Sequence, residues 1–138
     1  MRCIINVVKN HALKVGYAGE LLAASVLQRH FKTIAFPQLP TAYDLLVETD
    51  SQFLRCQVKT AHKVTTIHSN RYYKFSTNFR RTQKYTKDDI DFFALVIFPN
   101  RVMQFYPPSV GVSVYIKESD ATLEKEQASF KNVLGKYL

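Results

Sequence analysis

The 138-residue chain is poor in cysteine, with only Cys3 and Cys56. Neither sits in a CxxC, and no Cys/His cluster has the spacing of a zinc site. A disulfide framework and a zinc centre are therefore not expected. The opening MRCIINVVKN lacks the apolar run and cleavage site of a secretory signal. No apolar stretch approaches the roughly 20 residues that a membrane span needs. A Gly-rich phosphate loop is missing, which argues against an enzyme of small nucleotides. Internal repeats, low-complexity tracts and linkers are also missing. These absences predict a reduced, intracellular, cytoplasmic protein with no membrane partner, and a single domain over residues 1–138.

What the chain has in excess is positive charge. Nineteen Lys+Arg against eleven Asp+Glu give a formal net charge of +8. An ordinary hydrophobic share of 46% accompanies it. In so small a chain that excess points to a polyanionic partner, nucleic acid before membrane. Residues 62–84 are rich in cations: Lys63, Arg71, Lys74, Arg80, Arg81 and Lys84, with Tyr72, Tyr73, Phe75 and Phe79 among them. YYKFST alternates like a strand. Its cations suit phosphate contacts, which position a protein on nucleic acid without reading sequence. His62 and His68 have no spacing partner that argues for metal and read as surface or phosphate-contacting residues. Tyr85 and the cluster from Arg80 to Lys84 are candidate DNA contacts.

The elements follow from periodicity. Asn10 can cap a helix over residues 11–31. Leu13, Tyr17, Leu21, Ala24 and Leu27 recur at three- and four-residue steps as one apolar stripe. Gly16 and Gly19 interrupt this helix at a cost of about 1 kcal/mol each against alanine. They imply close approach of another backbone or a ligand. Glu20 follows at the border of the buried face. It reads either as a solvated helix residue or, given its GYAGE setting, as an inward-facing carboxylate. A strand is expected over 33–36, before Pro37 and Pro40 break regular structure. In TKDDID, Asp88, Asp89 and Asp91 form either a second metal site or a cap or turn before the next strand. FFALVIF, residues 92–98, is a continuous apolar run that reads as a central strand buried on both faces. A turn at 99–101 leads to a partner strand over 102–106, and residues 111–117 read as a short edge strand. Ser119 or Asp120 caps a last helix to about residue 137. Its inner side holds Leu123, Ala128 or Gln127, Phe130 and Leu134. The order is helix, central sheet, helix: an α/β domain.

The informative stretch is AYDLLVETDSQFLRCQVKT, residues 42–60. It reads as a hairpin of strands 44–48 and 53–59, joined by a turn in which Asp50 and Ser51 supply local hydrogen bonds. Leu54, Cys56 and Val58 fall on one face of the second strand, and Arg55, Gln57 and Lys59 on the other. Cys56 is most simply a small buried hydrophobe. Hairpin pairing brings Asp44 level with Gln57 and Lys59. Cleaving a phosphodiester means delivering water to an anion. A divalent metal can neutralise that anion and activate the water. A carboxylate with a backbone carbonyl suits Mg²⁺, and a lysine can stabilise developing charge or orient the nucleophile. Asp44, the Val58 carbonyl and Lys59 fit those roles. The same alternation also suits any half-exposed strand.

Taken in order, Gly16-Tyr17-Ala18-Gly19-Glu20, then Tyr43-Asp44-Leu45, then Gln57-Val58-Lys59 resembles the PD-(D/E)XK nuclease superfamily. Within it, the pattern is closest to group I intron-associated homing endonucleases, an E…D…QxK variant. The resemblance covers roughly residues 12–60. Two positions depart from the superfamily pattern: Tyr43 rather than proline precedes Asp44, and Gln57 replaces the second acidic ligand. The resemblance implies a restriction-endonuclease-like core, a mixed β-sheet flanked by helices. It also implies hydrolysis of double-stranded DNA that depends on Mg²⁺, for which Mn²⁺ can substitute. Glu20, Asp44 and the Val58 carbonyl would hold the metal. Gln57 would position the attacking water, and Lys59 would orient it and stabilise the transition state. Either Glu20 supplies the charge that Gln57 lacks, or the metal is held with low affinity. Double-strand cutting implies a homodimer or homotetramer. Two other functions stay open: a Holliday-junction resolvase, which shares the fold and constellation, and a catalytically silent nucleic-acid-binding module.

Overall fold

In the computed structural model, which describes residues 11–80, 83–109 and 111–138, FFALVI is the strand at the centre of the protein. All its side chains are buried, as an apolar run covered on both faces must be. In chain order the elements are α1 (His11–Gln28), β1 (Thr33–Ala35), β2 (Leu45–Glu48), β3 (Phe53–Ala61), β4 (Thr65–Ile67), β5 (Asn70–Ser76), β6 (Asn78–Arg80), β7 (Gln83–Lys84), β8 (Phe92–Ile97), β9 (Val102–Tyr106), β10 (Ser113–Lys117) and α2 (Leu123–Leu134). The main sheet runs β1-β2-β3-β8-β9. Only β3 and β8 are parallel neighbours, so the sheet is mixed. The expected core fold is present, with a different layering. Both helices cover one face of this sheet, and a second sheet, β10-β5-β4, covers the other. The Asn10 cap lies outside the described residues. Among the described residues, no helix is long and apolar enough to cross a membrane.

The second sheet comes from the basic–aromatic stretch. His68 and Ser69 both have positive φ, 48° and 69°. Two such central residues turn β4 back on β5 with the twist a tight hairpin requires. Tyr73 and Phe75 of β5 and Val114 and Ile116 of β10 point inward onto Phe93, Leu95 and Ile97. Lys74, Tyr115 and Lys117 point outward. Residues 111–117 therefore do supply an edge strand, but it belongs to this second sheet.

Each helix keeps part of its expected stripe, Leu27 in α1 and Phe130 and Leu134 in α2, and departs from the rest. In α1 the buried residues are Val15, Gly19, Ala23 and Leu27, a strict four-residue step. Leu13, Tyr17 and Leu21 are 59%, 57% and 62% exposed. Leu13, Tyr17 and Leu21 form a legible stripe, yet the sheet accepts the small Gly19 and Ala23 where the helix lies close. Gly19 shows how close: a Cβ there would stand 1.9 Å from Thr60 Oγ1. Gly16 meets nothing within 4 Å, so close approach accounts for only one of the two glycines. In α2, Thr122 rather than Ser119 or Asp120 is the cap, accepting from Lys125 N at 3.2 Å. Leu123 is 55% exposed, and Ala128 and Gln127 are exposed too. The inner residues are Glu126, Phe130 and Leu134. Glu126 accepts from Met103 N at 3.0 Å, and Ser129 Oγ from Phe105 N at 3.0 Å. The helix thereby satisfies the outer edge of β9, which would otherwise offer unpaired N–H groups.

The central hairpin is in the expected register, Leu45↔Cys56 to Glu48↔Phe53. Its turn is held by Thr49 rather than by Asp50 and Ser51. Thr49 Oγ1 accepts from Ser51 N at 3.2 Å and Gln52 N at 3.0 Å, while Asp50 faces solvent.

The Gly19–Thr60 approach sets how far α1 stands from β3. Gly19→Ala is expected to cost about 1–3 kcal/mol through overpacking, despite alanine's better helix propensity. Thr60→Gly, destabilising alone, should recover part of that loss in the double variant. Strictly additive urea midpoints for the two changes would contradict this account.

Candidate active site

The site forms where β2 and β3 part. β2 begins at Leu45, so from Gln57 onward β3 pairs only with β8. The freed edge of β3 needs partners. Asp44 N donates to Cys56 O at 2.8 Å, and Asp44 Oδ2 accepts from Val58 N at 3.0 Å. The carboxylate thus substitutes for a missing strand. Val58 N–H and C=O point to the same side of a strand, so its carbonyl also faces this opening, outside the β3–β8 ladder. Gln57 Nε2 stands 3.4 Å from that carbonyl. Gln57 is 9% exposed, on the same face of β3 as the half-buried Lys59.

Glu20 reaches this place from the helix layer. Gly19 seats α1 on Thr60, the residue after Lys59, and Glu20 comes next along the helix. Burial, and then the neighbouring Asp44 charge, push the Glu20 pKa up from 4.5 to about 7. A solvated helix carboxylate would feel neither effect. Burial also raises the Asp44 pKa, against the opposing pull of the Val58 N–H and Lys59. Burial lowers the Lys59 pKa, and Asp44 opposes that shift. Asp44 thus acts through its charge on both Glu20 and Lys59, and all three groups are partly buried. Among the described residues, no group of three or more His, Cys, Asp or Glu forms a metal cluster. The oxygen atoms that could serve a cation here are the carboxylates of Glu20 and Asp44 and the Val58 carbonyl. All-oxygen donors with unbalanced negative charge fit a hard divalent cation.

The acidic trio has structural partners. Asp91 Oδ2 accepts from Arg55 N at 2.7 Å and Arg55 Nε at 3.1 Å. Arg55 also donates to Asp88 O at 2.7 Å and Lys87 O at 2.8 Å. Asp89 Oδ2 caps the turn, accepting from Thr86 N at 3.0 Å. This is the turn expected before the central strand, pinned onto β3.

Of the expected DNA-contacting residues, Arg71 and Lys74 lie on β5 and Lys84 on β7. Lys63, Lys74 and Lys84 are exposed. Arg71 is exposed and ion-paired with Glu118 at 2.8 Å. Arg81 and the Arg80 side chain lie outside the described residues. Tyr85, the other candidate DNA contact, is 5% exposed, with the Lys59 ammonium over its ring at 5.6 Å. In the sequence Tyr85 stands beside the cationic cluster from Arg80 to Lys84. Its contact with Lys59 spans 26 positions and leaves no local signal. Cys56, as expected, is fully buried, and burial holds its thiol well above its ordinary pKa.

A carboxyl pKa raised by folding adds stability that is complete below the unfolded value and lost as pH rises through the folded one. For Glu20 that window runs from 4.5 to about 7. Glu20→Gln should therefore gain stability relative to wild type as pH rises across it. Urea midpoints of both metal-free proteins test this; a difference that does not change over that window would contradict the inward placement.

Comparison with known proteins bears on most of the chain. The sequence profile of the PD-(D/E)XK endonuclease family matches residues 11–133. No curated protein sequence matches. Among solved structures, "The structure of a bacterial homing endonuclease: I-Ssp6803I" is similar with a TM-score of 0.67 at 18% identity, covering 89% of this chain and 91% of that one. At that identity the likeness is one of fold. The profile spans helix, hairpin, central strand and last helix together, so the chain belongs to the PD-(D/E)XK endonuclease family.

Proposed function

We propose that this chain is a metal-dependent endonuclease that hydrolyses phosphodiester bonds of double-stranded DNA, site-specifically and of the homing type. The observation that carries the reading is the meeting of Glu20, Asp44 and Lys59 at the open edge of β3, each with its charge disfavoured by burial. The fold shared with a bacterial homing endonuclease supports the site-specific type. Glu20, Asp44 and the Val58 carbonyl are the residues that would hold Mg²⁺, with Mn²⁺ able to substitute. When bound, the cation neutralises phosphate charge and lowers the pKa of water.

The chain's own groups do the rest. Asp44 is held in place by its bond to Val58 N, which leaves its second oxygen available. Gln57, a neutral amide where the family pattern has a carboxylate, orients the attacking water. Glu20 supplies the negative charge that Gln57 does not. Lys59 brings an ammonium to the side of the scissile phosphate and stabilises the charge that develops there. The exposed Lys63, Lys74 and Lys84 hold DNA phosphates in register, with Arg71 released from Glu118 to join them. One such site per chain cuts one strand, so cleavage of both strands calls for a homodimer or homotetramer.

The test uses supercoiled plasmid and genomic fragments with Mg²⁺ or Mn²⁺, comparing wild type, Asp44→Ala and Lys59→Ala. Discrete products are expected from wild type. Both variants should lose at least about 10²-fold in cleavage rate, the scale for removing one charge-stabilising donor. Lys59→Ala should keep its DNA affinity. Unaltered cleavage by Lys59→Ala would remove the proposed lysine. Intact DNA binding without products from any of the three would favour a silent binding module, and cleavage of four-way junctions alone a resolvase.

A further inference from the structure

Lys59 carries its charge on a flexible four-carbon stem into a half-buried place. Among the described residues no carboxylate comes within 4.0 Å of its Nζ. Asp44 is near enough to act through its charge, but it does not pair. What lies against the ammonium is the Tyr85 ring, 5.6 Å from Nζ to centroid. An aromatic face attracts a cation most strongly where water is thin.

The ring is fixed from two directions. Tyr85 packs edge-on to Phe93, with centroids 5.2 Å apart at 88°. Phe93 is the register partner of Gln57 on β3. The turn that follows Tyr85 is pinned to β3 by Arg55, through Lys87 O, Asp88 O and Asp91. Arg55, Gln57 and Lys59 share one face of β3. The strand that carries the lysine therefore also carries the anchors of the ring that faces it.

We propose that Tyr85 is a positioning residue for Lys59, its ring face holding the ammonium beside Asp44 at the open edge of β3. This rests on the nuclease reading of the site. The ring limits where the lysine can swing without neutralising its charge, which a carboxylate partner in the same place would do. The phenol hydroxyl is not required for this role, so phenylalanine should replace tyrosine and an aliphatic residue should not.

Two readouts test the proposal, one of them independent of cleavage. In protein labelled with ¹³C-lysine, assigned through Lys59→Arg, ring current should shift the Lys59 ε-methylene protons upfield in wild type and Tyr85→Phe. That shift should vanish in Tyr85→Leu, or in Tyr85→Met should the leucine variant not fold. The single-turnover cleavage rate should fall about tenfold in the aliphatic variant, equivalent to about 1.4 kcal/mol, with DNA affinity unchanged and Tyr85→Phe close to wild type. An unshifted Lys59 resonance in wild type would overturn the proposal. So would full cleavage by a folded aliphatic variant, or an equal loss in Tyr85→Phe. A wild type that shows the shift but cuts no DNA would uphold the Lys59–Tyr85 contact while removing the nuclease reading.

Discussion

The hydrogen bond from Val58 N to Asp44 Oδ2 is the constraint on which the site depends. A strand whose neighbour departs is left with an unsatisfied N–H, and burying one costs about 1–3 kcal/mol. Asp44 removes that cost by standing where the next residue of a longer β2 would have stood. The same contact brings a carboxylate to the one stretch of β3 whose carbonyls face an opening rather than a ladder. Structural need and candidate chemistry thus fall on one side chain. Its raised pKa reflects the tension: the backbone donor favours the anion, and burial opposes it more strongly.

The other groups reach this point by packing. The small Gly19 lets α1 settle on Thr60, and Glu20 arrives beside Asp44 as a consequence. The second sheet closes the opposite face of the main sheet with Tyr73, Phe75, Val114 and Ile116. It leaves Lys74 and Lys117 outward. The helix layer and the second sheet therefore have different tasks. One delivers a carboxylate, and the other presents positive charge while burying the central strand.

Much of this was legible in the sequence, for identifiable reasons. FFALVI could be read as a central strand because burial on both faces leaves no polar position. The hairpin could be read because a two-residue period and a polar turn are local signals. The close approach at Gly19 was legible because a helix-interior glycine is costly without one. Other features were hidden because their causes are distant. The inward face of α1 passes through Gly19 rather than Tyr17 and Leu21, a choice made by Thr60 on another element. Glu126 faces inward because an edge strand needs an acceptor, which a helical pattern does not disclose. Asp91, and the backbone carbonyl of Asp88, take their partner from Arg55, more than thirty positions away. Tyr85 turns inward through a contact of similar range.

The central claim is that Glu20 and Asp44 form one divalent-cation site. Mn²⁺ binding followed by electron paramagnetic resonance tests it directly in wild type and Asp44→Asn, a change that removes the charge and keeps the shape. The account predicts saturable binding by wild type that is lost, or weakened at least about tenfold, in the variant, as expected when a hard cation loses one of two carboxylates. Equal affinity in the two proteins would contradict it and place the cation elsewhere.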